Sequence, residues 1–164
     1  FFLWQKIDPL IIYNFRLLAL VDLQSSSEWY RLFTVALMHD QISDLPYHLA
    51  FNMLALYSLG NQIETVLGRS KFLIIFFASL LAGSLTSAYF LPIGGGSIGA
   101  SGAVFGLFGA ILVIYRKYRA DIKSVLITVG LNLAIGFTIP NIDWRAHVGG
   151  LLGGAVVAKV LIHK

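Results

Sequence analysis

The chain has 164 residues, of which 57% are hydrophobic and 12% are charged, and its mean hydropathy is +0.79. A soluble domain carries about a quarter charged residues, so this composition predicts a membrane protein of one domain's length. The lack of cysteine in the sequence excludes disulfides, thiol catalysis and metal centres built on thiolates. The net charge of +4 does not indicate nucleic-acid binding, because the basic residues cluster at the ends of apolar runs.

The first segment, residues 4–46, mixes polar and apolar side chains and includes Trp4, Trp29 and Tyr30. Tryptophan and tyrosine are enriched where a protein meets the membrane surface. The segment is therefore predicted to be an interfacial loop, and a small soluble cap is the alternative. Because the chain does not begin with Met, residues 1–3 are interpreted as the end of a helix that precedes this loop.

Five apolar stretches follow, each close to the length of a membrane span. Crossing the hydrocarbon takes about 20 apolar residues, with a usable range of about 17–25. Only helices and closed barrels satisfy the backbone in lipid, and these runs do not alternate as barrel strands do. The sequence predicts an all-α, polytopic membrane helix bundle over residues 47–164. Its five spans are expected near residues 47–67, 72–91, 98–115, 124–139 and 146–162.

The distribution of charge indicates an orientation for these spans. If the first span starts from the outside, the inner connections hold mostly basic residues and the outer ones more acidic than basic residues. The positive-inside rule favours this orientation over its reverse. We therefore expect an integral multi-pass protein of a bacterial cell membrane, with its candidate site toward the outer face.

One serine and one histidine lie just inside the outer ends of the third and fifth predicted spans. Ser101 belongs to Gly99-Ala100-Ser101-Gly102, and His147 belongs to Ala146-His147-Val148-Gly149-Gly150. Polar groups at that depth cost free energy unless they have partners or a function. A histidine that removes a hydroxyl proton turns a serine into a nucleophile. The pairing predicts a catalytic dyad without a third member, because Asp143 precedes the span; either residue alone would more often be structural.

Small residues recur at every fourth position in the same two spans. Such ridges let helices approach to van der Waals contact in lipid, so the two spans are predicted to pack together. Packing without any chemistry is the alternative. The ridges are formed by Gly102, Gly106 and Ala110 in the third span, and by Ala146, Gly150, Gly154 and Ala158 in the fifth.

His48 and Asn52 are four residues apart at the outer end of the first span, so both project from one face of a helix. Their N–H groups could donate to a developing oxyanion at the depth of Ser101. A metal pair is the alternative, which we disfavour because asparagine is a poor ligand and no third ligand is evident. Gly99 would let a substrate backbone approach closely. His39, Glu64 and Asn132, among the other polar residues, are interpreted as structural.

Five motifs occur in order along the chain: Tyr30-Arg31, His48-x-x-x-Asn52, Glu64 with Leu67-Gly68, Gly99-Ala100-Ser101-Gly102, and Ala146-His147-x-x-Gly150. In this ordered set, and over nearly all of its length, the chain resembles the rhomboid intramembrane serine proteases. The glycine-x-serine-glycine motif alone is weak, whereas the ordered set is highly specific. The resemblance implies one rhomboid-like membrane domain over residues 1–164, with five visible spans of a six-helix core.

The resemblance also implies roles for individual residues. Ser101 would be the nucleophile on the fourth helix of the core, and His147 the base on the sixth. His48 and Asn52 would line the oxyanion site. The reaction would be hydrolysis of a transmembrane segment of another membrane protein near its outer end, without a metal, ATP or another cofactor. Supporting roles fall to Gly99, Gly102, Phe105 and Gly150.

The family also implies how a substrate enters, through the helix at 124–139 and the loop at 140–144. Three departures from the family are visible. The first helix of the core is almost wholly missing. Phe105 stands where relatives often carry a tyrosine that stacks on the histidine, so stacking is expected to survive without the hydroxyl. Tyr30 stands where relatives often carry tryptophan.

Two other classes of function are weighed against the protease. A proteolytically inactive rhomboid-like protein that binds transmembrane clients usually lacks the serine or the histidine, whereas this chain keeps both. A transporter or channel fragment would place polar residues along a path through both leaflets, whereas here they gather at the outer end.

Overall fold

The structure, a computed structural model of the chain, describes residues 3, 8, 10–39, 47–139 and 142–163. These residues form an all-α fold with one very short two-stranded ladder. The elements in chain order are α1 (Leu10–Phe15), β1 (Leu17–Leu18), α2 (Leu20–Ser26), α3 (Arg31–Thr34), a 3₁₀ turn (Val35–Leu37), α4 (Tyr47–Leu67), α5 (Arg69–Phe90), β2 (Gly96–Ser97), α6 (Ser101–Lys117), α7 (Lys123–Thr138) and α8 (Trp144–Ile162).

Each predicted span is a single helix, from α4 to α8, which confirms the all-α bundle. By length and composition, α5 and α8 are the two described helices long and apolar enough to cross a membrane, and α7 is a shorter apolar helix. The crossing of all five helices therefore stays a prediction.

Two of the helices, α5 and α6, begin at other residues than predicted, and in each case a glycine with a positive φ lies just before the helix. Gly68 has a φ of 84°, which glycine adopts without a Cβ penalty, so one residue separates α4 from α5. Arg69, Ser70 and Lys71, predicted to be a connection, are therefore the first turn of α5. Gly99 has a φ of 116°, and α6 begins at Ser101 instead of residue 98.

The helix α6 lies at the centre of the bundle. It packs most closely against α8 and α5, while α4 contacts α6 on another side and α7 packs loosely against α6 and α8. The larger of two apolar cores is formed by buried residues of α4, α5, α6 and α8. Its fully buried large side chains include Ile63, Ile75, Leu107, Ile111 and Ile114.

The predicted small-residue ridges do form the crossing of α6 and α8. A Cβ atom on Gly150 would collide with the carbonyl of Gly102, and one on Gly154 would collide with the carbonyl of Gly106. The third helix, α5, enters the same crossing at Gly83, where a Cβ atom would lie 2.8 Å from the Ala146 carbonyl oxygen. These glycines let three backbones meet directly under the starts of α6 and α8.

Two lysines hold the other end of α8. Lys71 Nζ on α5 donates to the Leu161 carbonyl at 2.9 Å, and Lys117 Nζ on α6 donates to the Ile162 carbonyl at 2.5 Å. The last carbonyls of a helix have no partner within it and carry partial negative charge, which ammonium groups satisfy. Hydrogen bonds thus join the C-terminal end of α8 to both neighbouring helices.

Residues 10–39 pack onto the bundle as a layer of short helices over α5 and the connection before α6. Their second, smaller core contains Leu17, Leu23, Leu32 and Val35 against α5 and α6. β1 pairs with β2 in an antiparallel ladder that places Leu17 opposite Ser97. Of the predicted helix end at 1–3 only Leu3 is described, and Trp4 and residues 40–46 of the predicted loop lie outside the described residues.

Candidate active site

Ser101 and His147 meet across the crossing of α6 and α8. The Ser101 Oγ and the His147 Nε2 are 2.9 Å apart, within hydrogen-bond distance. Ser101 is the first residue of α6, and His147 is a buried residue in the first turn of α8. In the tautomer that carries its hydrogen on Nδ1, Nε2 accepts the hydrogen bond from the serine hydroxyl.

Phe105 holds the plane of the His147 ring. The two ring centroids are 4.1 Å apart with an interplanar angle of 8°, so the rings are stacked. Phe105 lies one helical turn after Ser101, which places its ring beneath the imidazole. Gly136 of α7 also lies next to this imidazole, since a Cβ atom on Gly136 would lie 3.4 Å from His147 Nδ1.

Gly99 brings His48 beside Ser101. A Cβ atom on Gly99 would lie 2.8 Å from His48 Cε1, 3.1 Å from His48 Nε2 and 3.7 Å from Ser101 Oγ. The His48 imidazole therefore occupies the space that a side chain at position 99 would need. The Gly99 N–H donates to the Val35 carbonyl at 2.9 Å, which fixes the connection in front of α6.

Asn52 is buried in α4, one turn below His48. Its Nδ2 donates to the His48 carbonyl at 2.7 Å, so one of its two amide hydrogens is used within its own helix. The structure thus brings Ser101, His147 and His48 together, while the described contact of Asn52 is with the backbone of His48.

Asp143 joins the start of α8 to α5. It is the N-cap of α8, where its Oδ1 accepts from the Ala146 N–H at 3.3 Å and its Oδ2 accepts a short hydrogen bond from the Ser87 hydroxyl of α5. An aspartate just before an apolar helix is a recognised start signal, so the cap was predictable. No pattern in the sequence indicates Ser87 as its partner.

A second serine of α5, Ser84, joins the layer of residues 10–39 to this helix beside the site. Ser84 Oγ donates to the Leu32 carbonyl at 2.8 Å. A cavity of about 10 Å³, which is room for about one water molecule, lies against Ser101 and is lined by Ser84, Ser97, Gly99 and Gly102 among others. Two other serines, Ser84 and Ser97, thus line the small space beside the candidate nucleophile.

His39 lies next to His48 at the edge of the site. The two ring centroids are 5.5 Å apart, and His39 Nδ1 lies 3.2 Å from the Leu37 carbonyl oxygen. Burial lowers the pKa of His39 from its ordinary value of 6.5, and the charge of His48 lowers the pKa further. Across the described part of the chain, no group of three or more histidine or acidic side chains could hold a metal ion.

Comparison with known proteins gives a consistent result. The family model described as the Rhomboid domain matches residues 26–164. Rhomboid protease GluP of Bacillus subtilis (strain 168) is 39% identical over 145 residues, which are 85% of this chain and 27% of GluP. Putative rhomboid protease YdcA of the same strain is 30% identical over 145 residues, which are 85% of this chain and 71% of YdcA.

A plant relative is also similar. RHOMBOID-like protein 1 of Arabidopsis thaliana is 34% identical over 142 residues, which are 82% of this chain and 35% of that protein. The chain therefore spans about a quarter of GluP and about a third of the plant relative.

Proposed function

We propose that this chain, which belongs to the rhomboid family, is a serine endopeptidase that cleaves transmembrane segments of membrane proteins near their outer end. The observation that supports this most directly is the 2.9 Å separation of Ser101 Oγ from His147 Nε2. Relatives named rhomboid proteases add to that support.

The proposed mechanism is acyl transfer through a dyad. His147 Nε2 takes the hydroxyl proton as Ser101 Oγ forms a bond to the scissile carbonyl carbon. The same nitrogen then gives the proton to the leaving amine, whose bond to that carbon breaks. A water molecule, deprotonated by His147, next attacks the acyl-enzyme, and Ser101 leaves with the proton restored. The cavity of about 10 Å³ that Ser101 lines has room for about one water molecule.

The developing oxyanion needs donors, and losing one typically costs about 10²–10³ in rate. We propose the His48 imidazole, the Asn52 amide and the backbone N–H groups at the start of α6 for this role. The position of His48 against Gly99 and Ser101 supports its part. Asn52 would act with its second amide hydrogen, or by holding the His48 backbone in place.

We further propose that α4 to α8 all cross the membrane. Large apolar side chains are exposed on the outward faces of four of them, whereas soluble proteins rarely expose patches of this extent. These side chains include Phe51, Leu54 and Tyr57 of α4; Ile74, Phe77 and Tyr89 of α5; Leu131 and Phe137 of α7; and Leu152, Val156 and Val160 of α8. The layer of residues 10–39 has aromatic side chains exposed on its outward face, as expected of a loop that lies in the membrane interface. They include Tyr13, Trp29, Tyr30 and Phe33.

Substrate entry is proposed between α7 and the rest of the bundle. This helix packs loosely, and among its described residues only Val129 and Gly136 are buried. The family resemblance also implies a role in entry for the loop at 140–144, of which the structure describes residues 142–144.

Activity can be tested with a reporter protein that has one transmembrane segment, reconstituted with the purified chain. We expect cleavage and fluorophosphonate labelling by the wild type, and neither by Ser101→Ala or His147→Ala. Ser58→Ala, which changes an exposed serine of α4, is the matched control and should label as the wild type does. Cleavage by purified Ser101→Ala protein would refute the nucleophile. A folded wild type that neither labels nor cleaves would favour a client-binding role instead.

Orientation can be tested without background, because the chain contains no cysteine. Ile93→Cys lies between α5 and β2, and Ala120→Cys lies between α6 and α7. We expect a membrane-impermeant thiol reagent, added outside intact cells, to modify only the first variant. Modification of Ala120→Cys alone would reverse the proposed orientation.

A further inference from the structure

The His147 imidazole lacks one support that serine hydrolases usually provide. In a triad, a carboxylate accepts the hydrogen bond from Nδ1 and orients the ring. Among the described residues, Nδ1 of His147 is buried and has no hydrogen-bond partner. Within the described part of the chain, contacts other than a hydrogen bond at Nδ1 therefore hold this ring in register with Ser101.

A carboxylate does lie one helical turn before His147, but it is engaged elsewhere. Both oxygens of Asp143 accept hydrogen bonds, one from the Ala146 N–H and the other from Ser87. Its backbone carbonyl accepts from the His147 N–H at 3.4 Å. Asp143 therefore accepts hydrogen bonds from the backbone N–H groups of Ala146 and His147, while its carboxylate makes no hydrogen bond to the buried ring nitrogen.

Ser87 connects this cap to the rest of the bundle. Its side chain is fully buried on α5, the helix that also contacts the Ala146 carbonyl through Gly83. The first N–H groups of a helix have no partner within it and cost free energy when buried without one. Asp143 Oδ1 satisfies one of these N–H groups, that of Ala146, and the Ser87–Asp143 hydrogen bond joins this cap to α5 at the level of the dyad.

We propose that Ser87 and Asp143 are positioning residues for His147, acting through the start of α8. The pair replaces the orienting function of a triad carboxylate by holding the backbone that carries the imidazole. Stacking on Phe105 then sets the plane of the ring. This inference rests on the proposed protease function.

The test compares kcat and KM for cleavage of the reporter, together with the rate of fluorophosphonate labelling, in four variants. Asp143→Ala and Ser87→Ala should each lower kcat and the labelling rate by about 10–100-fold, because a displacement of about 1 Å can cost about 10²-fold. KM should stay within about 3-fold, since both residues are proposed to act through the start of α8 and not by binding the substrate. Asp143→Asn should keep kcat within about 3-fold, because asparagine is an equally good N-cap and its amide can donate to Ser87.

The fourth variant, Ser79→Ala, is the matched control. Ser79 is also a fully buried serine of α5, but its hydroxyl donates to the Ile75 carbonyl of its own helix at 2.6 Å. This variant should keep the wild-type kcat. The double variant Ser87→Ala with Asp143→Ala should lose no more than the worse single one, because partners in one hydrogen bond are not additive.

Several outcomes would overturn the inference. They are a wild-type kcat in both alanine variants, a loss in Ser79→Ala equal to that in Ser87→Ala, or additive losses in the double variant. If Asp143→Asn were as slow as Asp143→Ala, catalysis would depend on the negative charge of Asp143 and not on its hydrogen bonds as the N-cap of α8. If Asp143→Ala does not fold, Ser87→Ala and Asp143→Asn still decide. An inactive wild type would contradict the proposed function instead, so the two failures are distinguishable.

Discussion

Gly99 illustrates how a single residue shapes the candidate site. From the sequence, its small size was interpreted as room for a substrate backbone. In the structure its φ of 116° is one that L-residues with side chains rarely adopt, and the space beside it is filled by His48. The glycine therefore serves the turn into α6 and the placement of His48.

Gly99→Ala should impair the site while a similar change nearby should not. The alanine would be strained by about 1–2 kcal/mol and would press on the imidazole of His48, so we expect labelling of Ser101 to fall about tenfold or more. Gly94→Ala is the control, because Gly94 also has a positive φ (75°) but a Cβ atom there would meet nothing within 4 Å. Equal labelling of the two variants would contradict this account.

His39 is predicted to make the fold sensitive to acid. Its pKa is lowered in the folded chain, chiefly by burial, so protonation favours the unfolded chain. The contribution is fully present above the unfolded pKa of about 6.5 and is lost as the pH falls toward the lower folded value. The free energy of unfolding in detergent, measured between pH 5 and pH 8, should therefore fall below about pH 6.5.

Replacing the titrating group should flatten that dependence. We expect His39→Gln to reduce the slope of the free energy of unfolding against pH, whatever its effect on stability at pH 8. His163→Gln, at the exposed end of α8, should leave the slope unchanged. A slope unaltered in His39→Gln would contradict the prediction.

Among the helices, α5 corresponds to the span predicted over residues 72–91, to which the sequence assigns no role in the site. In the structure, three residues of α5 make contacts at or beside the site. Gly83 packs against the Ala146 carbonyl, and the hydroxyls of Ser84 and Ser87 donate to the Leu32 carbonyl and the Asp143 carboxylate. A serine in an apolar run reads the same whether it bonds to its own helix, as Ser79 does, or to a neighbour. The partner depends on the rotation of the helix, which distant packing determines.

We expect different effects on stability from a glycine substitution at the crossing of α6 and α8 and from one on an open face of α7. Gly154→Ala would place a Cβ atom against the Gly106 carbonyl, so it should lower the free energy of unfolding by about 1–3 kcal/mol. Gly130→Ala in α7 would meet nothing within 4 Å and should be neutral or stabilise by up to about 1 kcal/mol. Unfolding in detergent, followed by circular dichroism, measures both. A Gly154→Ala protein as stable as the wild type would show that the helices can separate without cost.

At the scale of the whole molecule, the layer of residues 10–39 holds the connection that leads into α6. The β1–β2 ladder pairs them, and the Gly94 N–H donates to Asp22 at 2.9 Å. Arg31 organises the layer itself, since its buried guanidinium donates to the carbonyls of Tyr13 and Arg16 and to Glu28. The layer thus helps to fix the position of Ser101 at the start of α6.

Arg31→Lys should loosen this layer without removing its charge. A lysine lacks the planar fork, so the buried carbonyls would lose donors at a cost of about 1–3 kcal/mol. We expect faster cleavage within residues 10–39 by an added protease, and slower labelling of Ser101. Arg69→Lys, at the exposed start of α5, should behave as the wild type. Unchanged protease resistance in Arg31→Lys would show that the layer does not depend on the fork.

The amino-acid sequence alone determined the helical class, the five long helices and the pairing of α6 with α8. Apolar length and small residues at every fourth position are local properties that the solvent and the helix period translate directly into structure. It also indicated Ser101, His147 and His48 as neighbours, because all three lie at the same ends of their helices. Only the tertiary structure decided that Ser87 bonds to Asp143, that Gly99 makes room for His48 and that Gly136 covers His147. Those contacts depend on how each helix is rotated about its own axis, and rotation is set by the packing of all the helices together.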